Sequence, residues 1–504
     1  MDFARSKFRM EPDGVIACSC PTAGAVHSKA IKPLMLQSVD RWVPPAPIPR
    51  ERQLGTLALI RVLATNPLEA WTTAHFEQPI VRGGLPFAPA VVVSEPSAIR
   101  RVLLENADNY RKDWMQRRIL SAGLADGLLS AEGKRWRIQR RALAPLFARR
   151  SVIGFAPEVM TATEALVARL RRQCGQTIDV MAEITRFTLS VLERTIFSDG
   201  IGADREDIRV AMLRYFEAAS RIDPFDVLNL PDFVPRPTRL HVRATLRFFE
   251  ETIDSLIATR RERRAKNPDS LPRDLLTLLL DARDPETGEG LSEAEVRANV
   301  LTFISAGHET TANCLTWSLY LLSQAPEWRE RVRAEAEREL DKGDVSTLAD
   351  RLPVTRAVID EANRLYPPIS AISRVSLARD MLAGYAIERG TMVVIAPYVL
   401  HRHRALWTRP DAFDPGRFLP GEREQIDRFG YLPFGAGPRL CIGSPFALQE
   451  ASIALAMLAK NFSWELAPGH TVRPIQKMTL RPADGMPMIL QAQFAQAPAL
   501  SPAN

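Results

Sequence analysis

Cysteine is scarce in this chain. The five residues Cys18, Cys20, Cys174, Cys314 and Cys441 are scattered over 504 positions and odd in number, so they give no disulfide framework and suit a reducing compartment. Packing accounts for Cys174 and Cys314. The cysteines do not cluster with histidine as zinc ligands do. No run of 18 apolar residues occurs, so no transmembrane anchor is expected. Val15-Ile16-Ala17-Cys18 outwardly matches a lipoprotein cleavage box, yet Met10-Glu11-Pro12-Asp13-Gly14 cannot serve as the apolar segment such a signal needs. A soluble, cytoplasmic protein is therefore expected. The chain also lacks a glycine-rich flavin or nicotinamide segment between strand and helix, and a cysteine cluster for iron–sulfur, so any electrons it uses come from elsewhere. A net charge of +7 is small for 504 residues and no basic stripe interleaves with aromatics, which excludes nucleic acid as a partner.

What is present suffices for a large core, with 46% hydrophobic and 25% charged residues. Prolines gather at 44–49 and 231–237, but apolar periodicity resumes after each and there is no repeat or low-complexity linker. Residues 1–50 read as an irregular extension and 51–504 as a single domain.

The organising stretch is Phe434-Gly435-Ala436-Gly437-Pro438-Arg439-Leu440-Cys441-Ile442-Gly443, which sets one cysteine at a glycine-rich bend before a helical run, 444–462. Amide N–H groups of the bend and of the first helical turn point at such a sulfur, and the helix dipole favours its negative charge, so the thiol should be held deprotonated. Thiolates bind iron and zinc well. Gly437 and Gly443 let backbone approach a flat cofactor, Phe434 can shield the sulfur, and Arg439 can pair with an acidic group on the cofactor edge. These residues resemble the cysteine-ligand loop of the cytochrome P450 (haem-thiolate monooxygenase) family, which implies that Cys441 is the axial ligand of haem b.

Four further stretches carry the resemblance. Around the predicted helix 133–144, Trp136, Arg140 and Leu143 fall on one side and Lys134, Arg137 and Arg141 nearly opposite. An inward Arg140 needs an anion, which a haem propionate would supply. Trp136 and Arg140 look like the family's C-helix signature. Residues 292–324 predict one helix of about 33 residues through the core, and Ala306-Gly307-His308-Glu309-Thr310-Thr311 in its middle breaks helix and burial rules at once, as functional sites do. It resembles the oxygen-activation motif, where the helix opens a groove beside the iron. That likeness implies that Thr310 and Glu309 are the alcohol and acid of a proton relay, and Ala306 a cofactor contact. His308, in the variable position, reads as a satisfied core or edge histidine. Glu361 and Arg364 on helix 353–366 and Arg417 in Phe413-Asp414-Pro415-Gly416-Arg417-Phe418 resemble the buried Glu-Arg-Arg network that supports the cysteine loop. Arg374 is a further propionate candidate.

The resemblance runs from about residue 60 to the C-terminus and implies a mainly α fold, a helical triangular prism with small peripheral sheets and haem between the long helix and the Cys441 loop. It implies monooxygenation of a small lipophilic substrate such as a terpenoid, fatty acid or steroid, with O2 and an external electron donor. Substrate access is expected at 110–130 and 223–232. A peroxide-driven relative typically lacks the Glu309/Thr310 pair, a haem sensor loses the relay, and a zinc protein has clustered ligands. Lys134, Arg137 and Arg141 are expected to face outward and dock an acidic ferredoxin, with a flavodoxin as the alternative, acting with its reductase.

Overall fold

The computed structural model describes residues 42–85, 88–114, 116–117, 126–198 and 237–493. Nine helices of ten residues or more occur among them: α1 Thr56–Thr65, α2 Gly133–Leu143, α3 Ala156–Arg171, α4 Val180–Ile196, α5 Pro237–Lys266, α6 Glu293–Ser323, α7 Pro326–Glu339, α8 Pro353–Leu365 and α9 Ser444–Asn461. The predicted 33-residue helix is α6 with its two caps. Ser292 accepts from the Glu295 amide while Glu295 reaches back to Ser292, a capping box that fixes where the helix begins. Pro326 opens the next helix two residues after the Gln324 cap.

Helix α6 is the core. Helices α4, α7, α8 and α9 pack around it, and the apolar positions its sequence repeats on most sides are buried together with theirs. Gly307 has a packing reason within this arrangement. A Cβ there would stand 3.2 Å from Cδ2 of Leu192, so the glycine lets α4 lie close. Trp317 is fully buried, stacks on Tyr366 at 3.9 Å between ring centroids, and satisfies its indole N–H with the Leu480 carbonyl at 3.3 Å. Truncating it to alanine would cost about 3–5 kcal/mol.

The sheets are peripheral. Strands β1 Ile80–Leu85, β2 Ala88–Val93, β3 Tyr110–Arg111, β5 Ile372–Ser376 and β8 Met392–Ile395 form one sheet in the order β1-β2-β8-β5-β3. Its single parallel pairing sets Val91 beside Val393 in β2 and β8. Strands β4 Thr177–Asp179, β12 Pro487–Ala492 and β9 Phe462–Leu466 make a second sheet, with hairpins β6 Asp380–Leu382 with β7 Tyr385–Ile387 and β10 Pro474–Gln476 with β11 Leu480–Pro482. The two strands expected around Arg82-Gly83-Gly84 are present, but both glycines lie inside β1, paired with Ala90 and Pro89.

Residues 42–50 carry no helix or strand beyond a bridge at Arg50, yet they are attached to the core. Trp42 packs edge-on against Tyr320, and Tyr366 donates to the Pro45 carbonyl at 2.7 Å. The expected access segment 223–232, residues 118–125 of the other access segment, and Cys18 and Cys20 lie outside the described residues. Among the described residues one helical stretch, Arg149–Arg171, is long and apolar enough to cross a membrane. It includes α3, which buries Val159, Leu166 and Leu170 against α4 and α9.

Candidate functional site

Cys441 sits where α9 begins. Its amide donates to the Phe434 carbonyl at 2.9 Å, closing the loop, and Gly443 is the N-cap of α9. Gly437 has φ +69, and a Cβ there would overlap the Leu103 carbonyl oxygen at 1.8 Å. The glycine is thus required by the neighbouring backbone at Leu103. At Gly443 a Cβ would meet nothing within 4 Å.

Cys441 as a residue is exposed to solvent. Burial pushes this thiol up from its ordinary value. The amide of Gly443, the Arg140 charge and the amide of Ser444 pull the other way, as the loop chemistry predicts, but they do not win.

Helix α2 is turned from its expected setting. Ile138, Gln139, Ala142 and Leu143 form its buried face, leaving Trp136 and Arg140 half-buried at the edge. The helical wheel misses this because Gln139 is polar. Its amide donates to the Asp126 carbonyl at 2.8 Å and to Glu295 at 3.0 Å, which makes its burial affordable. Arg140 makes no hydrogen bond or ion pair with any described residue, and burial lowers its pKa while Cys441 lies close enough to act on it. The expected outward basic face is present at Lys134 and Arg137, both exposed, while Arg141 is half-buried. Arg137 pairs with Asp108 at 2.7 Å, and Arg141 holds the fully buried Asp284 through two bonds of 2.7 and 2.6 Å and Glu286 at 2.8 Å. Lys134 alone of the three is exposed without a pair among the described residues.

Arg439 bonds to Glu132 at 2.8 Å and lies over Trp136, its guanidinium carbon 4.2 Å from the ring centroid. Burial lowers its pKa. Arg374, in β5, donates to the Ser373 carbonyl at 2.8 Å, and burial with the Arg439 charge brings it down to about 10. Lys112 was not found from the sequence. It is 5% exposed, donates to the Leu129 carbonyl at 2.6 Å, and burial together with Arg439 lowers it to about 8. Nothing in a lone lysine of an irregular stretch signals this. The carboxylates coupled to Lys112, Arg374 and Arg439 are Glu132 and Asp113. With Arg140 the count among the described residues is four cations against two carboxylates, an excess of two positive charges.

On α6, Ala306 is exposed although the helix is otherwise mostly buried. The helix runs continuously through residues 306–311. Thr310 donates its hydroxyl to the Ala306 carbonyl at 2.7 Å. Glu309 accepts from the Thr479 hydroxyl at 2.6 Å. His308 is a core histidine as expected, with Nδ1 3.0 Å from the Ile304 carbonyl and a pKa lowered by burial to about 4. Phe434 is half-buried.

Behind the loop, Arg364 grips Glu361 at 2.6 and 2.8 Å with both side chains fully buried. Arg417 stands 3.8 Å from the same carboxylate, and the Asp414 amide donates to it at 2.7 Å. His401, absent from the sequence reading, joins this network to the loop.

Residues 45–488 match the family model described as Cytochrome P450. The chain belongs to the cytochrome P450 family. Among similar proteins, cyclooctat-9-en-7-ol 5-monooxygenase of Streptomyces melanosporofaciens is 33% identical over 420 residues, covering 83% of this chain and 88% of that protein. Protein LUTEIN DEFICIENT 5, chloroplastic, of Arabidopsis thaliana is 31% identical over 444 residues, covering 82% and 72%. The crystal structure of the cytochrome P450DA heme domain superposes with a TM-score of 0.77 at 28% identity, covering 90% of this chain and 98% of that one. This cytochrome P450 is a monooxygenase with the fold of its family. The family implies haem with a cysteine ligand, O2, a substrate and an external redox partner.

Proposed function

We propose that Cys441 is the axial ligand of haem b in this chain, that Trp136, Arg140, Arg374 and Arg439 receive its propionates, and that Lys112 joins them. The observation that carries this reading is the two-charge excess at these residues, with Arg140 unpaired beside Cys441. Two propionates carry two negative charges, and an unpaired half-buried guanidinium is otherwise a net cost. Open space over Gly443 and the exposed Ala306 suit a flat group lying between the Cys441 loop and α6, with Phe434 beside the sulfur.

When bound, haem supplies the activation of O2 that lets one oxygen atom enter a C–H or C=C bond. The protein's own part is positional and protic. Thr310 turns its hydroxyl from the Ala306 carbonyl to donate toward the oxygen side, and Glu309 replaces that proton. Glu361, Arg364 and Arg417 hold the loop and do no chemistry.

The substrate is a small lipophilic molecule, terpenoid-like on the strength of relatives named for cyclooctat-9-en-7-ol and cyclooctatin. Electrons come from a ferredoxin with its reductase, a flavodoxin being the runner-up. The chain acts as a soluble, cytoplasmic enzyme of bacterial type, with residues 51–504 as its single domain. The test is turnover of a diterpene alcohol panel with a surrogate ferredoxin and reductase under isotopically labelled O2. One labelled oxygen in the product supports the proposal. Label-free product, or turnover with peroxide alone, contradicts it.

A further inference from the structure

Glu309 is held by a residue 170 positions away. Thr479, just before β11 and 3% exposed, donates to Oε1 of Glu309 at 2.6 Å, and its oxygen accepts from Nδ2 of Asn313 at 2.8 Å. Glu309 and Asn313 are four apart on α6, so they share a face, and Thr479 bridges them. Asn313 is fully buried on the helix core.

The order of donors decides where a proton can reside. A threonine hydroxyl carries one hydrogen, and an amide nitrogen only donates. With Asn313 donating to the Thr479 oxygen, the single hydroxyl hydrogen is committed to Oε1 of Glu309. Oε1 is then an acceptor in either protonation state, and the exchangeable proton belongs on Oε2, which has no partner among the described residues. An unanchored carboxyl would rotate and lose both placements.

We infer that Thr479, with its hydroxyl oriented by Asn313, is the positioning residue of proton delivery in this enzyme, fixing the Glu309 carboxyl so that Oε2 carries the transferred proton. The inference rests on the reading of Glu309 as the acid of the relay. A proton leaves Oε2 toward Thr310 and is replaced there from water, while the Thr479 and Asn313 hydrogens stay in place. The hairpin of β10 and β11 thereby becomes part of the oxygen-side machinery.

The test compares Thr479→Val, Thr479→Ser and Glu309→Gln. The first readout is the product formed per electron consumed, with peroxide as the alternative sink. Thr479→Val should lower this ratio by about tenfold or more, and Thr479→Ser should restore it. The second readout needs no turnover: the infrared carbonyl stretch assigned to protonated Glu309 by its loss in Glu309→Gln. Thr479→Val should move it to higher wavenumber as Oε1 loses its hydrogen bond, and Thr479→Ser should return it. An unmoved band and unchanged ratio in Thr479→Val overturn the positioning role. A normal ratio in Glu309→Gln overturns instead the reading of Glu309 on which it rests. Should Thr479→Val lose haem, the band in the folded apoprotein decides.

Discussion

The Leu432 amide donates to Nε2 of His401 at 2.8 Å, and the carbonyl of the same histidine accepts from Nη1 of Arg364 at 2.8 Å. His401 is the joint between the Glu361–Arg364 pair on α8 and the chain leading into Cys441. From Leu432 the connection continues through the Gly435 amide to the turn whose Phe434 carbonyl receives the Cys441 amide. Because Nε2 accepts, the neutral ring carries its proton on Nδ1.

Replacing that joint should loosen the loop. In His401→Leu the Leu432 amide is left buried without an acceptor, a cost of about 1–3 kcal/mol. We expect a lower melting temperature and, in the reduced carbon monoxide complex, loss of the long-wavelength thiolate absorption in favour of the histidine-type spectrum. His401→Asn, which keeps an acceptor, should recover part of both. An undiminished thiolate spectrum in His401→Leu would show that the loop holds itself.

Arg140 separates the empty protein from the loaded one. It has no carboxylate partner, so Arg140→Ala should leave the apoprotein as stable as wild type or more so, while haem dissociates at least about tenfold faster, the value of one charged hydrogen bond. Apoprotein denaturation and haem transfer to apomyoglobin measure the two. Equal destabilisation of both forms would mean that Arg140 serves the fold.

His308 and His401, with His75 and His403 shifted the same way, contribute to the acid limb of stability. Burial holds His308 at about 4, and burial with the Arg364 and Arg402 charges holds His401 at about 3, both below the ordinary 6.5. Above pH 6.5 neither the folded nor the unfolded chain protonates them. As pH falls below 6.5 the unfolded chain gains protons that the native state refuses, and stability drops by up to about 1.4 kcal/mol per unit for each ring. His308→Gln should therefore lessen the fall of the urea midpoint between pH 6.5 and 5 relative to wild type. An identical fall in His308→Gln and wild type is inconsistent with a neutral buried ring at His308.

The legible parts of this protein are those that are local in the chain. The Phe434–Cys441 bend, the α6 motif with its capping box, and Glu361–Arg364 each lie within one turn or loop, where spacing and chemistry are visible together. What escaped notice is paired at a distance. Thr479 meets Glu309 across 170 positions, and His401 meets Leu432 across 31, through residue types common anywhere in a sequence. Lys112 escaped because only the fold surrounds it with Arg374, Arg439 and Glu132. Helical periodicity placed Arg141 on a solvent face because the wheel cannot see the Asp284 loop that folds over it.

Cys441 carries the whole account, so its ligation is the decisive measurement. The purified protein, reduced with dithionite under carbon monoxide, should show the long-wavelength Soret band of thiolate-ligated haem, and Cys441→Ser should abolish that band while Cys314→Ser leaves it intact. A wild-type spectrum of the histidine type, or a Cys441→Ser protein indistinguishable from wild type, would contradict it.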